Sequence, residues 1–177
     1  MLKKILTVVI ILVIAVLSYA ASKADTFYVE RSIDIKATPE KVFAIINDHH
    51  NWDAWSPWEK LDPTMKKTFS GNARGVGAIF EWDGNSQVGA GRSEITESVS
   101  PSKIAMKLDM SRPFAANNNV TFNLQPHGET TTVAWGMNGS RPFLGKVISV
   151  FFDCEKMVGA QFDEGLVSLK GVAEKVQ

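Results

Sequence analysis

The chain has 177 residues, 45% of them hydrophobic, and its 19 basic residues balance 19 acidic ones. This length and apolar content are enough for one domain with its own core and a short appendage. Lys3, Lys4 and Lys23 belong to the N-terminal appendage, and 19 less these three leaves 16 basic residues against 19 acidic ones in the rest of the chain. A mildly acidic domain argues against nucleic acid as a partner.

An apolar segment follows the basic start MLKK and runs from Ile5 to Ala21 without a charged residue. Its length lies between the core of a cleaved signal peptide and a comfortable membrane span. Tyr19 favours a retained anchor, because tyrosine suits the membrane interface. Cleavage is favoured by two small-x-small patterns, Ser18 with Ala20 and Ser22 with Ala24.

These features predict that residues 1–24 are an uncleaved signal anchor, which enters the membrane with residues 5–21, and that residues 25–177 are one domain. Because the positive charge precedes the apolar segment, we expect the domain on the extracytoplasmic, periplasmic side of the membrane. The alternative is a secreted or periplasmic domain that signal cleavage releases.

Residues 27–36, FYVERSIDIK, alternate between apolar and polar side chains, which predicts a strand. Arg31 shares a face with Val29 and Ile33, so its guanidinium is expected to point inward. The next segment, ATPEKVFAIIND, predicts a short helix that begins after the N-cap Thr38 and ends near Asn47.

Residues 65–140 combine short alternating segments with turn signals such as DGN, PHG and NG at hairpin spacing. This pattern predicts an antiparallel meander with one apolar face. The residues predicted to face inward are Ala78, Phe80, Trp82, Ile104, Met106, Leu108, Met110, Val120, Phe122, Leu124, Val133, Trp135 and Met137.

Residues 141–176 show helical periodicity and predict one long helix that covers the apolar face of the sheet. Its predicted apolar stripe consists of Phe151, Cys154, Val158, Phe162, Gly165, Leu169, Val172 and Val176. Cys154, the single cysteine of the chain, is expected to be buried and unreactive there. Gly159, Gly165 and Gly171 indicate close backbone approach or room beside the helix, since glycine weakens a helix interior.

This order of strand, short helices, Trp-rich loop, meander and long helix resembles the SRPBCC or START-related helix-grip superfamily, which includes the polyketide cyclase/dehydrase group. From about Phe27 onward, VERSIDIKATPEKVFAIINDHHNWDAWSPW, GVGAIFEWDGN and FDEGLVSLK look like the opening, second hairpin and final helix of a membrane-anchored member. The resemblance implies an α+β helix-grip fold. In that fold a curved antiparallel sheet of about six or seven strands, with two short helices after the first strand, wraps a long C-terminal helix around an apolar cavity.

The segment NDHHNWDAWSPWEK, residues 47–60, raises the question of a metal site. His49 and His50 are neighbours, so their side chains diverge and do not readily hold one ion. A catalytic zinc site usually needs three protein ligands, and we predict neither a metal nor another cofactor. Three tryptophans at every third residue either fill one end of the core or line the cavity entrance: Trp52, Trp55 and Trp58.

The predicted function is binding of an apolar small molecule or lipid in the cavity of a membrane-tethered monomer. The predicted pocket residues are Arg31, Trp55, Trp58, Phe80, Trp82, Met106, Phe122, Trp135, Met137, Phe151, Val158 and Phe162. Arg31 is expected either to anchor an anionic ligand head or to be neutralised by Glu94.

No constellation of nucleophile and base is apparent, so no catalytic residue is predicted. The alternative function is an enzyme of the cyclase or dehydratase type, which needs an acid or base inside the cavity. The polar candidates for that role are Arg31, Asp48, His49 and Glu94.

Overall fold

Seven antiparallel strands form one curved sheet in the order β1-β7-β6-β5-β4-β3-β2 in the computed structural model, which describes residues 1–175. The strands are β1 Thr26–Ile35, β2 Lys66–Gly71, β3 Ala78–Asp83, β4 Ala90–Val99, β5 Lys103–Arg112, β6 Ala116–His127 and β7 Thr130–Ser140. From β2 to β7 each strand pairs with its successor, and β1 pairs with β7. The predicted meander is therefore confirmed.

The helices are α1 Leu2–Ser22, α2 Pro39–Ile46, α3 Pro57–Leu61, α4 Phe143–Phe151 and α5 Cys154–Ala173, with a 3-10 helix at His49–Ala54. The start of α2 is as predicted, because the Thr38 hydroxyl accepts a hydrogen bond from the Lys41 backbone N–H at 3.4 Å. The helix ends at the predicted Asn47 cap. With α5 lying along β1 on the inner face of the sheet, the predicted α+β helix-grip fold is confirmed.

The prediction of one continuous C-terminal helix is wrong, because the chain turns between α4 and α5. Phe152 is extended, and the Asp153 carboxylate caps α5 by accepting a hydrogen bond from the Lys156 N–H at 2.9 Å. Apolar periodicity continues across this turn and obscured the N-cap signal. Cys154 is the first residue of α5 and is exposed, so the predicted buried thiol is also wrong. Val176, the last residue of the predicted stripe, lies outside the described residues.

The main core lies where α5 and α2 cover the inner face of the sheet. Phe162 on α5 stacks on Trp135 on β7, with ring centroids 4.1 Å apart and an angle of 9° between the rings. The strand faces follow the predicted alternation, because side chains two residues apart point to the same side. The fully buried members of this core include Ile35, Val42, Ile46, Ile104, Phe122, Val133 and Leu169.

Gly165 allows α5 to approach the Trp-rich loop and the sheet closely. A Cβ atom at this position would lie 2.7 Å from Trp135 Cζ3 and 3.0 Å from Pro57 Cδ. Gly159 faces the Arg31 guanidinium in the same way, whereas a Cβ at Gly171 meets nothing within 4 Å among the described residues. Close approach therefore accounts for two of the three glycines that the sequence singled out.

Gly165→Ala is expected to lower the free energy of unfolding by about 1 to 3 kcal/mol, because the ring atoms on both sides are too rigid to move aside. Gly171→Ala on the same helix is expected to raise it by up to about 1 kcal/mol through the higher helix propensity of alanine. Urea denaturation of the full chain in mild detergent, followed by tryptophan fluorescence, measures both changes. Effects of the same sign at the two positions would contradict the packing described for Gly165.

Candidate functional site

A cavity of about 1000 Å³ lies between the inner face of the sheet, the Trp-rich loop and the corner where α4 meets α5. Its sheet wall is formed largely by Phe80, Trp82, Met106, Leu108, Met110 and Met137. Aromatic, aliphatic and methionine side chains dominate such a wall, as they do in sites for apolar ligands.

The turn at Phe152 and Asp153 lies on the wall of this cavity. After the turn, α5 fills the space beside β1 with Phe162 and other buried side chains. Before the turn, α4 leaves Leu144 and Phe151 at the open end of the cavity, where both side chains remain exposed. Met110 on the sheet and Leu144 and Phe151 on α4 thus line the same cavity.

The structure places nine of the twelve predicted pocket residues on the cavity wall. These nine are Trp58, Phe80, Trp82, Met106, Trp135, Met137, Phe151, Val158 and Phe162. Trp55 and Phe122 do not line it, because both are completely buried in the core, where their ring centroids are 6.1 Å apart. Trp52, which the pocket prediction omitted, does line the cavity. The Trp-rich loop thus combines both interpretations, since Trp55 fills the core while Trp52 and Trp58 face the cavity.

Arg31 lies on the inward-facing side of β1 but does not reach the cavity. Its Nε donates a hydrogen bond to Asp163 Oδ2 at 3.2 Å, and its Nη1 donates to the Glu30 carbonyl at 2.7 Å. The side chain occupies the space that Gly159 leaves beneath α5. Glu94 is not its partner, because that carboxylate pairs with Arg92 at 2.7 Å. The alternation of side chains along β1 predicted that Arg31 faces inward. It did not predict that α5 lies over this side chain.

Asn118 is a polar residue on the otherwise apolar inner face of β6. It is 7% exposed, and its Oδ1 is buried without a hydrogen-bond partner among residues 1–175. Gly139, directly opposite on β7, leaves room for this amide, since a Cβ there would collide with Asn118 Oδ1. An unpaired buried acceptor costs free energy, and this oxygen is enclosed against Gly139, so it offers no hydrogen bond to a ligand in the cavity.

Strand pairing sets Asn118 and Ser93 in one row across the cavity wall. Asn118 is opposite Leu108, and Leu108 is opposite Ser93. Since neighbouring strands lie about 4.8 Å apart, the two polar residues are separated by roughly 10 Å. The sequence prediction missed both residues. Each lies two positions from a residue that faces inward, Asn118 from Val120 and Ser93 from Ile95, and therefore shares its face of the sheet. A polar residue at an inward-facing position was the available signal.

Glu59 is the buried carboxylate of the cavity wall. It lies 2.6 Å from Lys67 Nζ in an ion pair. Burial raises the pKa of Glu59, while the bonded Lys67 ammonium works against that rise. Lys67 also pairs with Asp53 at 2.7 Å, so two carboxylates share one ammonium beside a mostly apolar wall.

His49 lies behind the wall, between the rings of Trp52 and Phe80. Its ring centroid is 5.0 Å from that of Trp52, and its Nε2 is 3.5 Å from Ser93 Oγ. Burial lowers its pKa to about 4, so the ring is neutral at pH 7. Its Nδ1 has no hydrogen-bond partner in the described part of the chain, because Asp48 bonds to His50 instead. The pair of His49 and Ser93 consequently lacks the carboxylate that would orient a general base.

The stability of the domain is expected to fall by about 2 kcal/mol between pH 8 and pH 5 through His49 alone. Its folded pKa of about 4 lies below its ordinary value of 6.5, so the unfolded chain binds a proton in this interval that the folded chain does not. Stability from this group is complete above pH 6.5 and is lost as the pH falls towards 4. His49→Phe should flatten the pH dependence of urea denaturation, and His50→Phe should preserve it. The same pH dependence in both variants would exclude His49 as its source.

None of the four polar candidates for enzymatic chemistry, Arg31, Asp48, His49 and Glu94, is part of the cavity wall in the described structure. In residues 1–175, moreover, no three His, Cys, Asp or Glu side chains are grouped closely enough to hold a metal ion. The site is therefore a mostly apolar cavity with a few isolated polar groups on its wall.

The family model described as polyketide cyclase / dehydrase and lipid transport matches residues 26–174. The Aha1 dimer from Colwellia psychrerythraea is 18% identical over 84% of this chain and 96% of its own, with a TM-score of 0.60. A protein from Nitrosospira multiformis is 20% identical over 84% of this chain and 97% of its own, with a TM-score of 0.61.

The di-domain ARO/CYC protein StfQ from the steffimycin biosynthetic pathway is 14% identical, with a TM-score of 0.62. The match covers 84% of this chain and 51% of StfQ, so this chain corresponds to about half of that protein. A comparison with curated proteins gives no match. At these identities the solved structures demonstrate a shared fold.

Proposed function

This chain belongs to the polyketide cyclase/dehydrase and lipid transport family, and we propose that it binds an apolar small molecule or lipid in its internal cavity. The observation that carries the proposal is the cavity of about 1000 Å³ with its predominantly apolar wall. A volume of this size lies at the upper end of the usual range for small-molecule sites, about 300 to 1,000 Å³. The ligand is accordingly the size of a lipid or a polycyclic compound.

We place the ligand against the nine predicted residues that line the cavity and against Asn118. Asn118 and Ser93 are polar residues on this wall, which supports a ligand that carries a polar group within an otherwise apolar body. Arg31 is left out of this site, because its guanidinium is already bonded to Asp163. An anionic head is therefore not required for recognition.

Residues 1–24 are proposed to tether residues 25–177 to a membrane, with the domain on the extracytoplasmic side. Leu2–Ser22 contains an 18-residue stretch with a mean hydropathy of 2.7 and is the one helix among residues 1–175 long and apolar enough to span a bilayer. At 1.5 Å per residue, its 21 residues extend about 31 Å, close to the thickness of a hydrocarbon core. Lys3 and Lys4 lie in its first turn, before the apolar segment that begins at Ile5, which supports the proposed orientation.

Binding is proposed in preference to a cyclase or dehydratase activity. Such an activity needs an acid or base that faces the ligand. Glu59 is the titratable residue among the buried residues of the described cavity wall, and it is already engaged in an ion pair with Lys67. The histidine closest to the wall, His49, lies behind Ser93 rather than at the surface of the cavity.

Native mass spectrometry of the full chain in mild detergent tests the proposal. A co-purified small molecule is expected on the folded chain, or saturable one-to-one uptake of cis-parinaric acid after delipidation. The mass of the chain in the same spectra shows whether the N-terminal signal anchor is retained. A mature chain that begins at Ala21 or Asp25 would show that it is removed. Failure to bind any member of a panel of fatty acids, phospholipids and polycyclic aromatics would contradict the binding function.

A further inference from the structure

Large apolar side chains surround the mouth of the cavity and remain exposed. We call four of them the rim, all of which line the cavity: Phe114 (62% exposed), Leu144 (61%), Phe151 (67%) and Phe152 (61%). Phe114 belongs to the connection between β5 and β6, and the other three belong to α4 and the turn after it. Scattered single apolar residues are normal on a protein surface, but a contiguous group at a cavity mouth marks an interaction surface.

The rim lies on the element that packs against the end of α1. The Lys23 Nζ atom, just beyond α1, donates a hydrogen bond to the Ser149 carbonyl on α4 at 2.7 Å. Lys146 on α4 forms an ion pair with Asp25, and Ala20 near the end of α1 is completely buried. These contacts fix α4 beside the point where the apolar helix ends.

The connection between α1 and the sheet is too short to separate them. Only residues 23–25 lie between Ser22 at the end of α1 and Thr26 at the start of β1. Three extended residues reach about 10 Å. Because α4 also contacts α1, a bilayer that contains α1 has its surface within about 10 Å of α4.

We propose that the rim inserts into the interface of the same bilayer that α1 spans, so that the cavity opens towards lipid rather than towards water. Exposed Phe and Leu side chains next to a membrane-spanning segment are suited to the boundary between headgroups and acyl chains. A ligand would then enter the cavity directly from the bilayer. This inference rests on the proposed tether, and it adds the surface through which the ligand reaches the site.

The single native cysteine provides the probe. Cys154 is exposed and lines the same cavity two residues after the rim residue Phe152. A nitroxide on Cys154 of the full chain, reconstituted in vesicles of three parts phosphatidylcholine to one part phosphatidylglycerol, reports its accessibility to oxygen and to a water-soluble nickel chelate. The matched control is Cys154→Ser with Glu129→Cys, which places the label in the exposed turn between β6 and β7, at the other end of the sheet.

The ratio of oxygen to nickel accessibility is expected to be several-fold higher at Cys154 than at position 129. In Phe151→Ser/Phe152→Ser the ratio at Cys154 should fall to the control value, while co-sedimentation with vesicles and the thermal midpoint stay unchanged. A label at Cys154 that is as open to the nickel chelate as the control, in a chain that co-sediments, would overturn the inference. Strong dipolar coupling between labels of two chains would assign the rim to a second copy and would overturn it as well. A chain that does not co-sediment contradicts the tether itself, whereas loss of cis-parinaric acid uptake in detergent contradicts the binding function alone.

Discussion

Phe162→Ala is expected to lower the free energy of unfolding by about 3 to 5 kcal/mol, the cost of removing a well-packed phenylalanine. Phe162 is 1% exposed, stacks on Trp135 and makes an edge contact with Trp58, whose ring centroid is 6.4 Å away. It therefore joins α5 to both the sheet and the Trp-rich loop. Although Phe162 also lines the cavity, its burial predicts a structural cost and not only a change in binding.

Urea denaturation of the full chain in mild detergent measures this loss. Val167→Ala is the matched control, because Val167 is on the same helix and exposed to solvent, so its truncation should change stability by less than about 0.5 kcal/mol. An unchanged midpoint for Phe162→Ala, with or without bound fatty acid, would show that α5 does not hold the sheet through this residue.

Leu108→Trp is expected to weaken binding of cis-parinaric acid at least about tenfold, which corresponds to 1.4 kcal/mol, with little effect on folding. Leu108 lies in the middle of the cavity wall, between Asn118 and Ser93 in the transverse row. An indole there extends into space that the ligand would occupy. Because the side chain faces the cavity, the added volume does not force the core apart as overpacking would.

Fluorescence titration with cis-parinaric acid measures the dissociation constant of this variant. Lys107→Trp supplies the control, because Lys107 precedes Leu108 on β5 and its exposed side chain points to the outer face of the sheet. Lys107→Trp should bind as the unchanged chain does. Equal affinity of the two tryptophan variants would mean that the ligand does not occupy the cavity.

The order of elements was predictable because local patterns determine it. Alternating strands and turn signals gave the meander, and Thr38 gave the start of α2. The turn between α4 and α5 was missed, because the apolar periodicity continues through Phe152 and outweighed the N-cap signal of Asp153. The erroneous burial of Cys154 follows from the same cause.

The sequence predicted which side chains face the inside of the sheet, but not which of them line the cavity and which fill the core. Parity identified the side chains that point inward, including Met106 and Met137. It did not tell that α5 covers Arg31 or that Trp55 and Phe122 fill the core, because these outcomes depend on how the helix and the loop pack on the sheet. The inward direction of Asn118 could have been predicted from strand alternation alone, but an asparagine within the NNNV segment resembles a loop residue.

The pairing of β1 with β7 has a consequence for how the chain is made. Thr26 pairs with Ser140, so the first strand to be synthesised finds its partner only after the whole meander has followed. At about 5 to 20 residues per second, translation of the intervening hundred or so residues takes at least about 5 s. Throughout that interval the apolar face of β1, with Val29 and Ile33, has no sheet to pack on. Sheets built from such distant pairings also fold slowly, which lengthens the period in which unpaired apolar strands are exposed to aggregation.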